Sequence, residues 1–106
     1  MLHKKVSIPE AAAKLTQPFT HTVVGQVDGY CAYLSRFEGS YKFHEHAQDE
    51  MYVVLEGEVW IDYGDGSTAC LAEGDTLVVR ASEVHRSRSD DGALVLMFKA
   101  KHLFAE

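Results

Sequence analysis

His44 and His46 stand two residues apart, and Glu50 follows four residues after His46. On an extended strand, alternate side chains share a face. The two imidazoles therefore point the same way, and Glu50, of the same parity, joins them if the chain keeps its phase. Two imidazoles and a carboxylate on one side of a sheet make a donor set for a divalent transition metal. His85, which opens a later strand-like run, is a fourth candidate donor. Each residue taken singly also has a bland reading. Two histidines on a strand can be a solvent-facing polar pair, Glu50 belongs to the acidic stretch Gln48-Asp49-Glu50, and His85 follows a turn. Lys42 shares the parity of the histidines and is a candidate for holding a substrate anion. Tyr52 shares that of Glu50 and is a candidate donor to a ligand or substrate. Ser87 and Ser89 have the parity of His85, whereas Arg86 and Arg88 point the opposite way. His3, His21 and His102 have no motif context and read as surface or packing residues.

These side chains need a scaffold, and the chain reads as strands. The one helix signal is Ser7-Ile8-Pro9-Glu10 followed by three alanines. Ser7 caps, Glu10 stands three residues on, and the helix must end before Gln17-Pro18. Phe19 to Val27 reads as a strand with Gly25 as a bulge, and Asp28-Gly29 is a hairpin turn into the strand Tyr30 to Phe37. Glu38-Gly39-Ser40 then turns the chain into the histidine-bearing strand. Further strands are expected at Met51 to Leu55, Glu58 to Tyr63, Ser67 to Leu71, Thr76 to Val79 and Val84 to Ser89. After a turn at Asp90-Asp91-Gly92 comes a last strand, Ala93 to Ala100. Short strands with turn signals at regular spacing imply an all-β antiparallel sandwich or barrel. Met51 to Leu55 and Ala93 to Phe98 are apolar on both faces. One face lines the core; the other needs cover from the N-terminal strand and helix or from a second subunit, so a homodimer is expected.

Length and charge narrow the function. A chain of 106 residues reads as a single domain, 1–106. The net charge is -6, and no basic cluster exists beyond Arg86 and Arg88, which argues against nucleic acid and against an anionic membrane surface. No apolar run approaches the ~20 residues of a membrane helix. The N-terminal stretch lacks the apolar centre of a secretory signal, so a cytoplasmic protein is expected. Cys31 and Cys70, far apart in strand-like runs, read as small buried or half-buried thiols.

Two segments together resemble the paired signature motifs of the cupin superfamily. The first motif, G-x5-H-x-H-x3,4-E-x6-G, is filled by Gly39, His44, His46, Glu50 and Gly57, with one residue fewer before His44. The second, G-x5-P-x-G-x2-H-x3-N, is matched by Gly74 and His85, with Arg80, Ser82 and Ser89 in place of the usual proline, glycine and asparagine. The resemblance covers roughly residues 30 to 100. It implies a jelly-roll β-barrel, with the short N-terminal helix read above ahead of it, and a metal held by His44, His46, Glu50 and His85. The metal would be iron, manganese, nickel or zinc, and three histidines and one glutamate leave one or two octahedral positions open for a small-molecule substrate. A metal-dependent enzyme on a small polar metabolite is expected, of dioxygenase or of sugar or hydroxy-acid isomerase type. The alternative is a non-catalytic cupin that binds a small ligand or metal.

Overall fold

Ser7 begins the helix as its sequence requires: its side chain accepts a hydrogen bond from the Glu10 amide, and Pro9 sits in the first turn, where its missing N–H costs nothing. This helix, α1, spans Ile8–Ala13. The structure, a computed structural model, describes residues 3–101, so His102 lies outside the described residues. Seven strands follow: β1 His21–Val27, β2 Tyr30–Ser40, β3 Glu50–Glu56, β4 Val59–Tyr63, β5 Thr68–Leu71, β6 Thr76–Val79 and β7 His85–Ala100. All their pairings are antiparallel. The order β1-β2-β7-β3-β6 forms one layer, and β4 joins β7 to β5 to form the opposing wall. The result is the all-β antiparallel barrel with a short N-terminal helix. Among the described residues, no helix is long and apolar enough to cross a membrane.

β7 is the strand around which the barrel closes. Its first part, His85 to Arg88, pairs with β4; its later part, Leu94 to Phe98, pairs with β3; and β2 runs along its other edge. The turn expected at Asp90-Asp91-Gly92 is therefore not a turn. The chain passes straight through these residues as a bulge, with Gly92 at φ 92°, and moves from one wall to the other. The turn expected at Glu38-Gly39-Ser40 is likewise absent. β2 continues through it with a bulge between Phe37 and Gly39, opposite the irregular stretch of β7. Turn-type residues supply the same left-handed conformations to a bulge as to a turn, so their composition does not separate the two. Gly25 does mark a bulge in β1, and Asp28-Gly29 joins β1 to β2 with Val27 opposite Tyr30.

The histidine-bearing segment also departs from expectation. Residues 41–49 are not a regular strand; only His44 makes a bridge, exchanging both backbone hydrogen bonds with His85 at 2.9 Å. The chain then bends at Ala47 and Gln48 before β3 begins.

Glu50, Tyr52 and Val54 of β3 face inward, together with Ala93, Val95 and Met97 of β7. They pack with Phe37, Val59, Ile61, Leu71 and Val79 in the barrel core. On the outside, α1 covers part of the second apolar face, with Ala12 and Leu15 buried against Leu34 and Leu94. Arg36 ties the helix end down by donating from Nε to the Leu15 carbonyl at 3.0 Å. Cys31 is buried, but Cys70 is exposed rather than half-buried, because it sits on the outward side of the short strand β5.

Candidate metal centre

Three separate stretches of backbone bring the four candidate donors together. Glu50 is the first residue of β3 and His85 the first of β7. His44 is locked to His85 by the backbone bridge, and the His46 carbonyl accepts from the Ser82 amide at 2.8 Å. Ser82 stands at φ 67°, the left-handed conformation for which the resembling motif uses glycine. The turn is held by local partners instead. The Arg80 amide donates to Glu83 at 2.7 Å, and the Ala81 amide donates to Asp49 at 2.8 Å. Asp49, the acidic neighbour of Glu50, is thus occupied at the surface, where it also pairs with Arg80 at 3.2 Å.

One ligand atom from each of His44, His46, Glu50 and His85 lies within 4.8 Å of the others. His46, Glu50 and His85 are buried and His44 is half-buried. The ring nitrogens are oriented by their second hydrogen bonds. His44 Nδ1 faces the Lys42 carbonyl at 2.9 Å and His85 Nδ1 faces the Glu83 carbonyl at 2.8 Å. Each Nδ1 donates its proton to a carbonyl, which leaves Nε2 as the coordinating atom. Burial holds His44 and His46 below the ordinary imidazole pKa, so both present lone pairs at neutral pH. Burial also pulls His85 down, but its hydrogen bonds to Glu50 and to the Glu83 carbonyl outweigh that and raise it overall. Burial would raise Glu50. The His85 hydrogen bond, the Lys99 charge and the Tyr52 hydroxyl overcome this and hold its carboxyl at about 2.

Glu50 is the hub. Its Oε1 lies 2.9 Å from His85 Nε2 and accepts from the Tyr52 hydroxyl at 2.7 Å. Its Oε2 accepts from Lys99 Nζ at 3.2 Å. His46 Nε2 lies 3.6 Å from the same Oε2, outside hydrogen-bond range. Among the described residues, this nitrogen is a buried side-chain polar atom without a hydrogen-bond partner. A buried unsatisfied polar group costs about 1–3 kcal/mol. A metal ion is one partner that removes this cost, and imidazole with carboxylate is a donor set that suits iron, manganese, nickel or zinc. The four residues therefore fit a divalent ion.

The remaining candidates divide. Tyr52 touches Glu50 directly, as its parity required. Lys42 is exposed and enters the site only through its backbone carbonyl, since residues 41–49 do not hold the alternation that would have turned its side chain inward. Ser87 is buried beside a cavity of about 40 Å³ that runs from His44 past Tyr52 and Met97 to Lys99. Ser89 is buried and donates to the Glu58 carbonyl at 2.7 Å. Arg86 and Arg88 point away from the cavity and both reach Asp62, at 2.9 and 2.8 Å. Lys99 is the residue that the sequence reading missed. A signal existed: it follows Ala93, Val95 and Met97 at even spacing, which places a lysine on the inward face of the last strand.

A family model for the cupin domain matches residues 36–98. The chain is also 34% identical over 89 residues to the uncharacterized protein YdbB of Bacillus subtilis (strain 168), a match covering 83% of this chain and 79% of that protein. The protein belongs to the cupin family. Among solved structures it is similar to a cupin-2 domain containing protein from Shewanella frigidimarina. That likeness has a TM-score of 0.86 and 22% identity over 91% of this chain and 94% of the other. It is also similar to hydroquinone 1,2-dioxygenase PnpCD in complex with Cd2+ and 4-hydroxybenzonitrile, with a TM-score of 0.76 and 20% identity over 93% of this chain and 83% of that one. At these identities the structural likeness speaks for the fold alone.

Proposed function

We propose that this chain is a single cupin unit in which His44, His46, Glu50 and His85 hold a divalent transition metal, and that it is a metal-dependent enzyme acting on a small polar metabolite. The observation that carries this reading is His46 Nε2, a buried nitrogen with no hydrogen-bond partner among the described residues, 3.6 Å from Glu50 Oε2 in a cluster of four side chains that can each offer a ligand atom. Four protein donors leave positions open on an octahedral ion, which is what a catalytic centre keeps and a structural one lacks. The ion would supply Lewis acidity and, if iron, a meeting point for O2 and substrate. The protein's own residues orient it: the Lys42 and Glu83 carbonyls fix the two imidazoles, and Tyr52 fixes the carboxylate. Phe19, Phe37 and Met97 give the cavity beside the cluster an apolar lining. An iron centre would suit a dioxygenase; manganese, nickel or zinc would suit an isomerase of sugars or hydroxy-acids. The small cavity volume also favours one alternative, a barrel that holds a small ligand without turnover.

Elemental analysis of tag-free protein tests the reading. One metal per chain is expected in the parent and close to none in His46→Ala and His85→Ala. Oxygen uptake with the iron form then separates oxygenase from isomerase. A parent that carries no metal and takes none up from excess ions refutes the metal centre.

A further inference from the structure

Lys99 is 3% exposed, and its ammonium lies 3.2 Å from Glu50 Oε2. A lysine is costly to bury, and an apolar residue would fill the same inward position of β7 more cheaply. Among the described residues, Lys99 is also the single lysine, arginine, aspartate or glutamate on the wall of the cavity beside His44. The rest of that wall is His44, the apolar side chains of Phe19, Phe37 and Met97, and hydroxyl-bearing serines and tyrosines. The charges of Lys99 and Glu50 offset each other as they stand. A divalent ion bound to the same carboxylate and to three neutral imidazoles changes this balance and leaves two positive charges in a buried site. Such a site is stabilised by a ligand that brings negative charge with it.

We propose, resting on the metal reading above, that Lys99 is the substrate-anchoring residue and that the substrate class is a small anionic chelate, a 2-hydroxy or 2-oxo acid. The metal takes the chelating oxygens and the Lys99 ammonium pairs with the carboxylate. Neutral diketones and neutral sugars satisfy the metal's open positions equally well but bring no negative charge into the site. The cavity volume of about 40 Å³ limits the ligand to a few heavy atoms. The same ammonium holds Glu50 in place before metal arrives, so one side chain serves both states.

Isothermal titration of manganese-loaded protein with glycolate tests this, with neutral imidazole as the comparison ligand and metal content measured on every sample. Lys99→Met is expected to keep its metal, to bind glycolate about tenfold or more weaker, and to bind imidazole within about twofold of the parent. Lys99→Gln, which is shorter but keeps a neutral hydrogen-bond donor, serves if Lys99→Met does not fold, and the same selective loss is expected. Glycolate affinity unchanged in a metal-loaded variant overturns the proposal. So does an equal loss for glycolate and imidazole, which is the mark of a merely structural lysine, and so does a metal-loaded parent that ignores glycolate. A parent that takes up no metal overturns the metal reading and this one with it, and shows itself in the metal analysis before any ligand is added.

Discussion

His46 and Lys99 show what the site costs at the level of single side chains. His46 leaves a ring nitrogen buried without a hydrogen bond, and a leucine of similar volume would not. If the residue is kept for a ligand rather than for the fold, removing it should relieve the metal-free protein. His46→Leu is expected to raise the Tm in the presence of a chelator by about 4–8 °C, which corresponds to about 1 kcal/mol for a chain of this size, while abolishing metal uptake. A thermal melt showing His46→Leu less stable than the parent in chelator would mean that the imidazole is needed for packing. That His44, His46, Glu50 and His85 come together was legible in the sequence because their spacing follows a motif; strand parity alone would not have sufficed, since residues 41–49 are not a regular strand. The inward position of Lys99 was legible from its even spacing after Ala93, Val95 and Met97, but its partner was not, since it meets Glu50 from 49 residues away through a strand pairing.

Among the elements, β7 carries most of the architecture and was the least well read. Its Asp90-Asp91-Gly92 stretch has turn composition, but the strand is held on both sides by β2 and by β4 or β3, so the extra residues bulge instead of reversing the chain. The same closure explains Gly57 in the first motif. It stands at φ 85°, and an added Cβ would lie 2.5 Å from the Gly92 carbonyl oxygen and 3.0 Å from Ala93 Cα. Two walls of the barrel pass each other there, with backbone on the far side, and backbone cannot move aside as a flexible side chain can. Gly66 has a similar φ of 92° but nothing within 4 Å. Gly57→Ala is therefore expected to cost about 3 kcal/mol or more, from backbone strain plus overlap, and Gly66→Ala about 1–2 kcal/mol, from strain alone. Denaturant titrations of the two variants separate the contributions. Equal losses would show that the close approach at Gly57 carries no weight.

For the whole molecule, the open question of the fold is what covers the outer side of the main sheet. The sequence showed both faces of β3 and of the last strand to be apolar, and α1 accounts for only part of the excess, over Leu34 and Leu94. Beyond the helix, Met51, Val53 and Phe98 remain half-buried, while Tyr30 is 47% and Val78 38% exposed. Strand register makes these neighbours: Met51 stands opposite both Val78 and Phe98, and the Tyr30 ring stacks on Phe98 with centroids 5.8 Å apart. A contiguous apolar patch on a small chain is the usual mark of an association surface. A net charge of -6 works against indiscriminate clumping, so a defined pairing of two copies is the expected outcome. Sedimentation velocity at micromolar concentration should give a dimer for the parent and a monomer for Val78→Lys. The substitution lies at an exposed position of β6, where it costs the monomer little. A parent that sediments as a monomer throughout that range rules the pairing out. Because all four proposed metal donors come from one chain, Val78→Lys should keep the parent's metal content. Loss of metal on dissociation would instead mean that the partner copy holds the barrel mouth in shape.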